Sequence, residues 1–253
     1  MLFVGTSGWQ YPHWKRVFYP AKLPQREWLP YFAERFQAVE VNNTFYNLPE
    51  KSVFEHWRVS TPEDFLFALK MSRYLTHLKR LQDPTEPVHR FIERARGLGS
   101  KLGPVLLQLP PRFKVNLRLL EETLVLFDRA VRVAVEFRDE TWFTAETHSL
   151  LEQHHAALCL ADSPRRKQPG WRTADWGFVR FHEGQGARAP GYEREGLRRW
   201  VSRIGETWPA DADVFVFFNN DTAGYAIKDA IVFAELAEEA GLRPTRVPSA
   251  AAA

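Results

Sequence analysis

The chain has little of what staples small secreted or metal-dependent folds. It carries one cysteine, Cys159, in 253 residues. That excludes an intramolecular disulfide and any zinc site built on thiolates. Histidines are spread without a metal-binding spacing, so no metal and no other cofactor is expected. No apolar run approaches the roughly 18 residues of a membrane span, so no membrane partner is expected. The start, MLFVGTSGW, lacks the basic opening and apolar core of a secretory leader, and a cytoplasmic location is expected. Charge of one sign is missing too: 34 Lys and Arg face 31 Asp and Glu, a net +3, which steers a distant polyanion weakly. No Pro/Gly/Ser linker divides the chain, and no repeat of about 20–50 residues recurs. A single domain over residues 1–248, with a frayed tail at 249–253, is expected.

What is present is an ordinary globular balance, 45% hydrophobic and 26% charged, which removes the disordered and collagenous classes. Of the 34 basic residues 25 are Arg, a side chain suited to bidentate binding of phosphate and carboxylate. The densest basic stretch is Arg165, Arg166 and Lys167, with Trp171 and Arg172 close behind.

Short runs rich in β-branched and aromatic residues fall at 2–4, 38–41, 65–69, 105–109, 132–137, 157–161, 178–181 and 214–218. Amphipathic helical patterns at 26–36, 52–60, 87–101, 117–128, 145–155, 193–206 and 227–240 separate most of them. Strands alternating with helices imply parallel crossovers. Eight strands in about 250 residues predict a (β/α)8 TIM-barrel-like α/β fold. An open doubly wound sheet is the rival, but it normally carries a Gly-rich turn running into a helix after its first strand. Here Gly5-Thr6-Ser7-Gly8 runs into Trp9 and Pro12.

Alternation along each strand separates two faces. Val39 and Val41 oppose Ala38, Glu40 and Asn42; Val133, Val135 and Phe137 oppose Ala134, Glu136 and Arg138; Val179 and Phe181 oppose Arg180 and His182. Polar residues close successive strands: Glu40, Lys70, Gln108, Glu136, Asp162, Arg180, His182 and Asn219. In a barrel that end is the C-terminal mouth, where sites form.

These strand ends resemble a known family. Gly5-Thr6-Ser7-Gly8-Trp9 with Tyr11 and Trp14, Val39-Glu40-Val41-Asn42, Thr44-Phe45-Tyr46, Phe67-Ala68-Leu69-Lys70 and Thr76-His77 are similar to the DUF72 (YecE-like) proteins. So are Gln108-Leu109-Pro110-Pro111, Val135-Glu136-Phe137-Arg138 with Trp142, Val179-Arg180-Phe181-His182 and Phe218-Asn219-Asn220. One departure stands out: the family usually reads Arg-x-His-Gly after the seventh strand, and here Glu183 separates His182 from Gly184. The resemblance implies a TIM-barrel-like fold and no established activity. A kinship with endonuclease IV and xylose isomerase barrels is analogy of fold alone.

Glu40 and Glu136 are candidate acid and base residues, with a buried ion pair as the structural alternative. His182 is a candidate proton carrier. Lys70, Arg138 and Arg180, with His77, are placed to hold an anion. Asn42, Gln108, Trp9, Tyr46, Asn219 and Asn220 complete the candidate substrate contacts. Trp14 and Trp142 are read as packing residues, while Trp171 and Trp176 are assigned to loops at the C-terminal strand ends. The leading expectation is an acid/base enzyme, a hydrolase or lyase, acting on a small polar or anionic, sugar- or phosphate-bearing substrate. The alternative is a nucleic-acid-binding protein or nuclease, with Arg165, Arg166 and Lys167 on phosphates and Trp171 stacked on a base of a single strand. A binding barrel without turnover is a third reading.

Overall fold

A computed structural model describes residues 1–162, 168–184 and 191–249. Eight strands form a closed, all-parallel barrel in sequence order. They are β1 (Leu2–Ser7), β2 (Ala38–Val41), β3 (Leu66–Lys70), β4 (Leu102–Gln108), β5 (Val133–Glu136), β6 (Ala157–Asp162), β7 (Gly177–Phe181) and β8 (Val214–Phe218). The α-helices among the described residues are α1 (Trp28–Ala33), α2 (Asn43–Tyr46), α3 (Lys51–Val59), α4 (Thr85–Ala95), α5 (Leu117–Leu124), α6 (Ala145–Gln153), α7 (Arg194–Thr207) and α8 (Tyr225–Glu239). The expected barrel is therefore present. Every expected strand occurs within a few residues of its place. The short helix α2 is an addition. Among the described residues between β6 and β7 there is no helix. Of the expected frayed tail only Ser249 belongs to the described residues.

The alternation read from the sequence divides two buried layers. Inside the barrel lie Phe3, Ala38, Ala68, Leu106, Ala134, Ala157, Cys159, Phe178, Phe215 and Phe217. Small side chains on β2, β3, β5 and β6 make room for the phenylalanines on β1, β7 and β8, and Phe3 stacks on Phe215 at 4.7 Å. Outside, Val39, Val41, Phe67, Leu69, Val105, Leu107, Val133, Val135, Val179, Val216 and their neighbours meet the helices. Burial of these apolar faces supplies the main driving force for closure.

Gly5 explains how β1 approaches β2. A Cβ at that position would lie 2.1 Å from the carbonyl oxygen of Ala38. Gly8 then turns the chain with φ 104°, a conformation that costs glycine little. Tyr11 Oη donates to Ser7 O at 2.6 Å and closes the turn over the strand end.

Two expectations need correction. Asp162 does not join the inward polar ring. It shares parity with Leu158 and Leu160, whose side chains pack outside the barrel, and lines a cavity of about 450 Å³ beside α7 with Tyr192, Glu193, Arg199 and Arg203. Trp176 is not at the mouth either. It immediately precedes β7, so it caps the N-terminal end, with its ring edge toward Phe215 at 6.2 Å.

Candidate functional site

At the C-terminal end the inward residues one step above the apolar layer are charged. Glu40 ends the inward run of β2, Glu136 that of β5 and Arg180 that of β7, and all three side chains are fully buried. The Arg180 guanidinium spans the bore. Its Nη2 donates to Glu40 Oε1 at 2.7 Å and its Nη1 to Glu136 Oε2 at 2.5 Å. Glu136 is further enclosed. Gln108 Nε2 lies 3.0 Å from each of its oxygens, and Arg138 Nε donates to Oε1 at 2.9 Å. Burial alone would raise the Glu136 carboxyl, but Arg180, His182 and Arg138 together hold it well below the usual carboxylate range. Glu136 is thus an ionised anchor. The two glutamates do face each other, as the sequence suggested, with one arginine between them.

His182 continues the inward face of β7. Its Nε2 lies 3.4 Å from Arg180 Nη1 and 3.6 Å from Glu136 Oε2. Burial, then Arg180, lowers its pKa against the pull of Glu136, so the ring is neutral near pH 7. Asn219 Nδ2 faces His182 Nδ1 at 3.2 Å, and Asn42 Nδ2 donates to Asn219 Oδ1 at 3.3 Å. The amide of Asn219 at Nδ1 and the guanidinium of Arg180 at Nε2 together set which ring nitrogen carries the proton. Asn219 and Asn42 therefore orient His182. Asn220 turns away, donating to Asp229 Oδ2 of α8 at 2.6 Å.

Lys70 ends the inward run of β3. Thr44 Oγ1 donates to both Val41 O at 2.9 Å and Lys70 O at 2.7 Å, fixing the start of α2 against this strand. That places the Phe45 ring 4.1 Å from Lys70 Nζ. Lys70 is only 8% exposed, and among the described residues its Nζ has no carboxylate or other hydrogen-bond acceptor in reach. Burial and then Arg180 lower its pKa to about 8, against Glu40 and Glu136. His77 comes from a single π-helical turn, Tyr74–Leu78. It packs edge-on to Phe45 at 4.9 Å and meets Thr76 Oγ1 at 2.9 Å. Burial, then Lys70, Arg138 and Arg73, lowers its pKa to about 4. His77 is therefore a neutral neighbour of the cations and not one of them.

Ser7, on the inward face of β1, is in register with Glu40 of β2. Its Oγ, Glu40 Oε2 and Asn42 Oδ1 are buried and have no hydrogen-bond partner among the described residues. Sequence alone shows no base beside Ser7, so it was not a candidate, although its parity with Phe3 and Gly5 puts it on the inward face. Nor does sequence mark Phe45 as the wall beside Lys70.

Other candidates lie elsewhere. Trp9 is buried, edge-on to Trp57 at 5.2 Å and to Phe67 at 6.4 Å, on the outer layer. It also lines a cavity of about 140 Å³ with Tyr11, Asn42 and Asn43. Tyr46 is 77% exposed at the end of α2. Trp14 and Trp142 are fully buried. Trp171 meets His148 and Phe143 edge-on at 5.1 and 6.0 Å. Arg165, Arg166 and Lys167 lie outside the described residues. Among the described residues no three His, Cys, Asp or Glu side chains group so as to hold a metal ion, and no helix is long and apolar enough to cross a membrane.

Fold and mouth together define a (β/α)8 barrel with a buried glutamate–arginine–glutamate bridge at its C-terminal end. The chain belongs to the DUF72 family, described as "Protein of unknown function DUF72", whose model matches residues 3–252. It is 26% identical to the UPF0759 protein YunF of Bacillus subtilis, over 98% of this chain and 99% of that one. It is 32% identical to the UPF0759 protein YecE of Escherichia coli over 45% of this chain and 39% of that one. A solved DUF72 family protein from Thermotoga maritima superposes with a TM-score of 0.83 at 28% identity, covering 94% of this chain and 99% of that one. A DUF72 family protein from Enterococcus faecalis, at 18% identity and a TM-score of 0.78, covers 94% of this chain and 96% of that one and shares the fold.

Proposed function

We propose that the barrel mouth binds a small anionic, hydroxyl-bearing compound, such as a sugar acid or sugar phosphate, and acts on it by acid/base chemistry of the hydrolase or lyase kind. The observation that carries the reading is an imbalance of charge. Three cations, Arg180, Arg138 and Lys70, stand against two carboxylates, Glu40 and Glu136. Arg180 is bound on both arms, which leaves Lys70 and the outer edge of Arg138 for a ligand anion. On the β1–β2 side, Ser7 Oγ, Glu40 Oε2 and Asn42 Oδ1 are acceptors suited to ligand hydroxyls.

His182 is the candidate base, held neutral with its orientation fixed through Asn219 and Asn42. Glu136 serves as the fixed negative charge beside it. Such a carboxylate stabilises a protonated imidazole formed during turnover without itself moving a proton.

The test is thermal unfolding of the full chain with inorganic phosphate, sugar phosphates and sugar acids. The expected result is a saturable rise in melting temperature that Arg138→Ala abolishes. No rise with any of these anions, or an equal rise in the Arg138 variant, overturns the reading.

A further inference from the structure

We propose that Lys70 is a nucleophile that forms an imine with an aldehyde or ketone, so that the substrate of the mouth is a carbonyl-bearing anion. This inference rests on the anion-binding reading above and names its substrate class. Its ground is the setting of the Lys70 amine. A buried lysine ordinarily sits on a carboxylate, because an uncompensated ammonium is costly to bury. Here neither nearby carboxylate is paired with it: Glu40 bonds Arg180 through Oε1, its Oε2 having no hydrogen-bond partner among the described residues, and both oxygens of Glu136 are taken by Arg180, Arg138 and Gln108. What Lys70 Nζ meets instead is the face of Phe45. Around it stand Arg180 from β7, Arg138 beyond β5, His77 from the π-helical turn, Glu40 from β2 and Glu136 from β5.

An amine desolvated against an aromatic wall and beside fixed cations is the arrangement that activates lysine toward carbonyls. The lowered pKa of about 8 agrees with it. At pH 7 it leaves about a tenth of the amine unprotonated, against less than about one part in a thousand for an ordinary lysine. The backbone that carries it is held as well, since the Lys70 carbonyl accepts from Thr44 and residues 67–70 of the strand are buried.

The step balances without an added reagent. The Nζ lone pair forms a bond to the carbonyl carbon, and one amine proton passes to the carbonyl oxygen to give the carbinolamine. The second amine proton leaves with that hydroxyl as water while the carbon–nitrogen double bond forms. Arg138 is placed to hold the carboxylate or phosphate of the same molecule.

The experiment is reductive trapping on the full chain. Pyruvate, glyoxylate, dihydroxyacetone phosphate and glyceraldehyde 3-phosphate are each incubated with protein and borohydride, followed by intact mass and peptide mapping. The expected result is one reduced adduct per chain on Lys70 with at least one probe. It should saturate, be suppressed by inorganic phosphate, and be absent from Lys70→Met and Lys70→Arg. Circular dichroism of the Arg variant keeps loss of folding apart from loss of the amine. The yield should be half-maximal near pH 8. Adducts scattered over the exposed lysines, or trapping at Lys70 that rises only above pH 10, overturn the proposal. If Lys70 stays unmodified with every probe while phosphate still raises the melting temperature, the nucleophile is wrong and the anion site stands. If neither occurs, both fall.

Discussion

Arg180 and Glu40 are 140 positions apart in sequence and meet at 2.7 Å in the barrel bore. The same guanidinium holds Glu136, 44 positions away, at 2.5 Å. Each of these groups is buried completely. Arg180→Met would leave both carboxylates facing a thioether. Removing one member of a buried ion pair typically costs about 3–5 kcal/mol, and at least that loss is expected in urea unfolding. A loss below about 1 kcal/mol would show that the bridge is not holding the barrel.

Lys70 makes the opposite prediction. In the unfolded chain it loses its proton near 10.5 and in the fold near 8. Between those values the unfolded state binds more protons, so stability rises with pH across that window and the cost of burying the ammonium is complete below it. Lys70→Met should therefore stabilise the fold at pH 7 by about 1–3 kcal/mol. The gain should fade between pH 8 and 10.5. Chemical denaturation at several pH values decides it, and a variant less stable than the parent at pH 7 contradicts the assignment.

The His182 tautomer can be observed directly. Nitrogen chemical shifts of labelled protein should show a neutral ring held in one tautomer, titrating below the value of free histidine. In Asn219→Ala the Nδ1 partner is gone and the two tautomers should mix. A ring already charged at pH 7 would remove His182 as a base.

Gly5 offers a backbone test. A methyl group there would sit 2.1 Å from Ala38 O, far inside contact distance, so the first two strands must separate. Gly5→Ala is expected to cost at least about 3 kcal/mol or prevent folding, as overpacking of a rigid backbone contact does. A melting temperature within a few degrees of the parent would mean that the strands shift freely.

How much of this was legible depends on which rule each residue obeys. The barrel was readable because alternation with a period of two runs through β2, β3, β5 and β7, and Glu40, Glu136, Arg180 and His182 inherit their direction from Ala38, Ala134 and Phe178 below them. Asp162 was misassigned because it lies one residue beyond Ala161, and a single step reverses the face. Phe45 was invisible as a wall for Lys70. Its position depends on a short helix pinned by Thr44 across 26 residues, and no local pattern encodes that contact. The neutrality of His77 was likewise hidden, because it arises from cations on other strands.

The bridge draws its three members from β2, β5 and β7. A half-barrel ending at β4 would own Glu40 and Lys70 with no guanidinium to answer them, and the other half would own Arg180 with one arm idle. Neither half can carry the site, so the mouth comes into being only at the moment the ring of strands closes. Any event that parts β1 from β8 should abolish the chemistry of the mouth before it abolishes the helices.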